Sequence, residues 1–190
     1  MTRLRSAAVS RRTFIATGGA SLAVLAGCGN GVGSRGGSTI DARVDATRNF
    51  LFRTYPGTQE LAQKAFGVLY MPLVTEAGFG IGGGYGRGAL RINDVTVDYY
   101  SAARATIGIQ IGAQQYAHAL FFMTEAALTE FRRSSGWAAG ADVRYATPEQ
   151  GASLGKETTE IEPVIALVFG QAGLIAGATL AGVKYTRIIP

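Results

Sequence analysis

Residues 77–88 read Ala77-Gly-Phe79-Gly-Ile-Gly-Gly-Gly-Tyr85-Gly-Arg-Gly88, with glycine at every even position from Gly78 to Gly88. Successive side chains of an extended chain point to opposite faces, so this spacing leaves one face of the segment bare. The other face presents Phe79, Ile81, Gly83, Tyr85 and Arg87. Glycine inside a strand costs stability, and a bare face of this kind marks the close approach of another backbone, a bend or a bulge. The segment therefore predicts a strongly coiled antiparallel sheet or a small β-barrel. It also contains Gly78-x-Gly80-x-x-Gly83, formally a dinucleotide fingerprint, but that motif needs a helix after it to receive the pyrophosphate. Here the alternation runs on to Ile92, so no nucleotide site is expected.

Working outward, the period changes on both sides. Ile40, Val44, Thr47, Leu51 and Tyr55 follow the i, i+4, i+7, i+11 stripe of a helix. Thr39 is the expected N-cap, Asp41 falls in the first turn, and Pro56-Gly57 ends the helix. A short second helix, about Thr58 to Phe66, would turn Leu61, Ala62 and Ala65 inward. Alternation then predicts strands at Val68–Met71, Gly78–Ile92, Val95–Tyr100, Ala105–Ala113 and Ala117–Met123, with a turn at Asn93-Asp94. Thr124 should cap a helix near residues 124–134 that buries Ala127, Leu128 and Phe131, and Gly136 should close it. The fold class is thus α+β, with N-terminal helices, a coiled antiparallel sheet and one further helix.

Val164–Val183 is long enough to cross a bilayer, having only Gln171 and Thr179 as polar interruptions and a Gly173-x-x-x-Gly177 spacing. Pro163 and four glycines break it into strand-length pieces. The preferred reading is two buried strands, Val164–Phe169 and Leu174–Leu180, then an edge strand Val183–Ile189. Gly151-Ala-Ser-Leu-Gly155-Lys156 has three residues between its glycines where a P-loop has four, and it reads as a polar turn.

The chain has 190 residues, 47% of them hydrophobic and 16% charged, which suits one packed domain with an appendage. The appendage is N-terminal. Ser10-Arg11-Arg12-Thr13-Phe14-Ile15, a mildly apolar stretch and Leu25-Ala26-Gly27-Cys28 resemble a twin-arginine export signal ending in a bacterial lipobox. The apolar part is too short for a span of about 20 residues. Residues 1–27 are therefore expected to be removed, leaving Cys28 to carry a diacylglycerol and, on its new amino group, a fatty acid such as palmitate. Residues 28–39 read as a lipidated cysteine and flexible tether, and 40–190 as the domain. Gly29, standing where a sorting aspartate would, points to the periplasmic face of the outer membrane.

Of 18 basic residues, Arg3, Arg5, Arg11 and Arg12 leave with the signal, and the remaining 14 face 13 acidic residues, a net of about +1. The basic character belongs to the signal, so nucleic acid is not an expected partner. One cysteine and one histidine leave little material for a disulfide, a zinc site or a Ser/His apparatus. No cofactor, no metal and no catalytic set are expected. His118 lies in an apolar run and reads as a core or surface histidine, Trp137 as a plug at one end of the sheet, and Asp94 and Asp98 as solvated acids.

Four ordered strings carry a further message: Ala65-Phe-Gly67-Val-Leu-Tyr-Met-Pro72, the glycine segment 77–88, Ile107-Gly-Ile-Gln110-Ile-Gly-Ala-Gln114, and a tail comprising Phe121-Phe-Met-Thr-Glu-Ala-Ala-Leu128, Gly136-Trp137 and Val168-Phe-Gly170-x-x-Gly173-Leu174. Together they resemble the SYLF domain over about residues 40–190. Eukaryotic members bind phosphoinositide-containing membranes, some also actin, and bacterial members are mostly exported lipoproteins. Asp98-Tyr99-Tyr100-Ser101 is similar to the bacterial branch. The resemblance implies an envelope lipoprotein, not an enzyme, that meets membrane lipid through acylated Cys28 and through the domain itself. Its implied headgroup contacts fall on the first helix, at Arg43, Arg48, Phe52 and Arg53. Those arginines step around the helix by about 140° and form no single basic face. Phe50 and Phe52 point apart, leaving at least one available for insertion. The other reading is a structural or protein-interaction module of the envelope.

Overall fold

A computed structural model describes residues 34–140, 143–146, 162–170, 173–174 and 180–190. The export signal, Cys28 and the Gly151–Lys156 turn lie outside the described residues. In chain order the elements are α1 (Gly36–Thr54), α2 (Gly57–Lys64), β1 (Gly67–Ile92), β2 (Val95–Phe122), α3 (Glu125–Arg133), β3 (Trp137–Ala138), β4 (Val143–Ala146), β5 (Val164–Gly170), β6 (Gly173–Leu174) and β7 (Lys184–Ile188).

The five strands expected between 68 and 123 are two. β1 and β2 form one antiparallel hairpin running from Gly67↔Phe122 to Ile92↔Val95. Its turn is Asn93-Asp94, and both residues have positive φ, 49° and 66°, as a two-residue turn of primed type requires. The expected break after Met71 is a register shift, between Met71 and Val74; two further shifts, between Gly78 and Gly80 and between Leu90 and Arg91, fall inside the strand expected at Gly78–Ile92, and pairing runs on through residues 101–104. Pro72 falls at the first, where a missing N–H does no harm to the ladder. These shifts bend the hairpin without ending it.

The bend brings β1 back on itself. A Cβ on Gly86 would lie 2.6 Å from the Leu73 carbonyl oxygen, and one on Gly88 would collide with the Tyr70 carbonyl and the Met71 sulfur. At the corner itself, a Cβ on Gly78 would stand 2.5 Å from the Gly82 Cα. At 78, 86 and 88 the bare face is thus met by main chain, as the glycine spacing implied, and the sheet curls into a half-barrel. On the other edge of β2, β7 pairs with residues 99–103 and β5 with residues 117–122. β3 extends β7, β6 folds back on β5, and β4 joins β5 in parallel, a departure from an all-antiparallel sheet.

Two cores flank the sheet. Inside the curl, Leu69, Met71, Leu90, Leu120 and Phe122 meet Leu128 and Phe131 of α3 and Tyr185 of β7. Trp137 closes that end against Phe131, ring centroids 5.4 Å apart, which accords with its reading as a plug. Outside, Ile40, Val44 and Leu51 of α1 and Leu61 of α2 cover Val68, Tyr70, Ala119, Phe121 and Leu167. β5 contributes to both cores and is buried from Val164 to Phe169, which is why its sequence is apolar without alternation. Among the described residues no helix is long and apolar enough to cross a membrane.

Helix ends differ from expectation in instructive ways. α1 starts at Gly36, so Thr39 lies within its first turn and its hydroxyl bonds back to the Arg35 carbonyl at 2.9 Å. The two leading glycines fit because Gly36 abuts Pro190 and Gly37 abuts the Tyr99 hydroxyl. Asp41 is drawn out of a dipole role: it accepts from Tyr99 Oη at 2.7 Å and Thr96 Oγ1 at 2.8 Å, tying α1 to β2. Thr124 does cap α3, accepting from the Ala127 amide at 3.2 Å, whereas the C-cap is Ser134 and not Gly136.

The glycine contacts yield a stability test. Gly88→Ala should cost about 2–4 kcal/mol through overpacking. Gly140→Ala, where nothing lies within 4 Å of the added methyl, should stay within about 0.5 kcal/mol of wild type. Urea denaturation of the two variants checks the contrast.

Candidate functional site

Where α1 and α2 leave the outer face of the sheet, a basin of about 370 Å³ opens. One wall is apolar, formed by Phe52, Ala62, Ala65 and Val68; the other carries Arg48, Arg91, Asn93 and Asp94. The polar wall is built by the hairpin. β1 delivers Arg91 beneath α1, and the tight turn holds Asp94 in a left-handed conformation beside it. The Arg91 side chain is 9% exposed, and a guanidinium so desolvated needs anionic partners. Its Nη1 meets Asp45 of α1 at 2.7 Å and Asp94 at 3.4 Å, while its buried Nε has no partner. The second oxygen of Asp94 takes Arg48 Nη1 at 2.9 Å. Asp94 therefore bridges two arginines, and Arg48 lies 5.4 Å over the Phe52 ring. Beneath them Tyr70 is buried, and desolvation raises its phenol pKa far above the ordinary value.

Of the four sequence-marked lipid contacts, the fold brings Arg48 and Phe52 together here and leaves two elsewhere. Arg43 is exposed on α1, and Arg53 is exposed at the helix end, its Nε donating to the Asn49 carbonyl at 3.2 Å. Phe50 is not free for insertion: it stacks on Phe169 at 6.2 Å, and both Phe50 and Phe52 are partly buried against the outer core. Asp94 and Asp98 are paired acids, not simply solvated ones. Asp98 meets Arg132 at 3.0 Å and Arg187 at 3.6 Å on the opposite side of the sheet. Arg91 was missed by sequence reasoning. The available signal was its place in a strand whose neighbours on the same segment, Ala89 and Leu90, are fully buried.

A second polar cluster lies toward the glycine-rich end of the curl. Glu76, 6% exposed, accepts from Tyr116 Oη at 2.8 Å and Gln114 Nε2 at 2.9 Å, with Arg104 at 3.7 Å. Gly84 makes room for it, since a Cβ there would stand 2.7 Å from the Glu76 Cγ. Nearby His118 is fully buried and its Nε2 shares a 2.8 Å hydrogen bond with Tyr185 Oη, while Nδ1 has no partner. It is a core histidine, as its apolar setting implied. Among the described residues no group of three metal-ligating side chains occurs.

The fold is thus an α+β one, a curled β-hairpin sheathed by N-terminal helices with an amphiphilic basin at their junction. Residues 103–187, from the middle of β2 to β7, match the family model described as Ysc84, Las17-binding protein actin regulator. Over that stretch the match agrees with the SYLF resemblance carried by the strings at 107–114 and in the tail. No curated protein matches the chain. The basin residues, 45 to 94, precede the matched stretch.

Burial holds His118 neutral, its pKa pushed down to about 3 from 6.5. The unfolded chain takes up a proton below pH 6.5 that the folded chain refuses, so stability should fall as pH drops from 6.5 toward 3. The slope contributed by this group should approach about 1.4 kcal/mol per pH unit. His118→Gln, which keeps a partner for Tyr185 but does not titrate, should remove that slope in urea denaturation series between pH 4 and 7.

Proposed function

We propose that the protein is a non-catalytic envelope lipoprotein, held through acylated Cys28 to the periplasmic face of the outer membrane, whose SYLF domain contacts membrane lipid. The observation that carries the lipid contact is the pairing of Arg48 with Phe52 at the rim of the basin, a cation and an aromatic ring side by side on a partly exposed helix face. Such a pair suits the boundary between headgroups and acyl chains, where an apolar body and a charged tip are both accommodated. The near-neutral mature charge argues for local rather than global attraction to the membrane. Las17 binding and actin regulation are what the family description states. An exported bacterial protein would meet neither partner, so that activity is not carried over.

A second reading, a protein-interaction module, is favoured by Ile81 and Tyr85, which stand 78% and 55% exposed near the glycine-rich end of the hairpin. Vesicle flotation separates the two. The mature chain, residues 28–190 bearing Cys28→Ser, should still float with anionic phospholipid vesicles, and Arg48→Ala should reduce the floated fraction severalfold while Arg43→Ala changes it little. A Cys28→Ser chain that stays at the bottom of the gradient would remove the lipid reading and favour the interaction module.

A further inference from the structure

We propose that the basin beneath α1 is a binding site for a small oxyanion of phosphate type, and that Asp94 is its built-in occupant, displaced when the ligand arrives. Three observations converge. Arg48 and Arg91 come from different elements yet share one carboxylate, 2.9 Å and 3.4 Å away, so the space between them already holds an oxyanion in bridging geometry. Arg91 Nε is buried and unpaired, so the site has a charged donor that its internal acid does not satisfy. Each buried unpaired donor is costly, and a ligand oxygen that reaches it recovers the loss. Asp94 itself is half exposed, 52%, on a turn, and can swing away without unpacking any core residue. Arg91 would not be stranded, because Asp45 holds it from α1 at 2.7 Å.

Size restricts the ligand. Drug-sized ligands fill pockets of roughly 300–1,000 Å³, and about 370 Å³ lies at the small end. The basin takes a headgroup or a free phosphate, not a whole diacyl lipid. With Asp94 in place the two arginines are balanced by Asp45 and Asp94; once Asp94 leaves, the site has one positive charge to offer. The headgroup source rests on the lipid reading above, whereas the anion site does not.

The experiment uses the mature chain, residues 28–190 with Cys28→Ser, and titrates it, at fixed ionic strength, with inorganic phosphate and separately with phosphatidylcholine vesicles containing phosphatidylglycerol. Asp94→Asn tolerates the positive φ of the turn and removes the internal anion. It should tighten phosphate binding about tenfold, and Arg48→Gln should weaken it by a similar factor. Glu130→Gln, on exposed α3, makes the same change in net charge away from the basin and should leave binding as it is. The same ranking on vesicles assigns the anion to a lipid headgroup; the ranking with phosphate alone assigns a free anion. Vesicle binding absent in wild type, with the phosphate ranking intact, defeats the lipid reading and keeps the site. Asp94→Asn and Glu130→Gln binding phosphate equally well would overturn the site.

Discussion

The whole structure depends on the absence of a β-carbon where β1 crosses itself. Carbonyls of Tyr70 and Leu73 occupy the space that side chains at 88 and 86 would need, and the Glu76 side chain fills the space at 84. That contact lets a 26-residue strand fold through a half-turn while remaining paired to one partner along its length. The curl then creates an inside and an outside. α3 and Trp137 fill the former, and α1 and α2 cover the latter. The basin is a by-product of that covering, since it opens where the helices leave the sheet and the hairpin turn comes up beside them.

Polar groups are placed consistently with this division. Glu76 is buried within the curl because Tyr116 and Gln114 cross the hairpin to donate to it, and a carboxylate so enclosed requires such donors. His118, without a counterion, stays neutral. Arg91, on the outer side, is charged and satisfied only in part. Of the three clusters, the one around Arg91 combines a cavity, an unpaired charged donor and a displaceable acid, which is why a ligand is assigned there and not within the curl.

Much of the architecture was legible from residue order. Glycine parity at 78–88 gave the curl, the i, i+4 stripe gave α1, and Thr124 gave the start of α3. The continuity of β1 and β2 was hidden because Pro72, Glu76 and the Gln114-Gln115 pair look like interruptions. They are absorbed at a bulge or paired across the strands, as with Gln115 to Thr75 at 3.4 Å, which local periodicity does not reveal. The same limit applied to the site. Arg48 and Phe52, four residues apart on one helix, were visible as neighbours, whereas the Arg91 and Asp94 contacts to α1 depend on the tertiary fold bringing residue 91 to residue 45.

The most direct measurement is the distance across the curl. With Cys28 replaced, spin labels at Thr75 and Tyr85, both exposed, can be read by double electron–electron resonance. A straight strand would separate their backbones by about 33 Å, at ~3.3 Å per residue. Backbone contact between residues 74 and 86 requires a distribution centred far below that, under about 20 Å. A distribution centred near the extended length would mean that the bare face does not fold onto its own chain, and the account of the fold would fail with it.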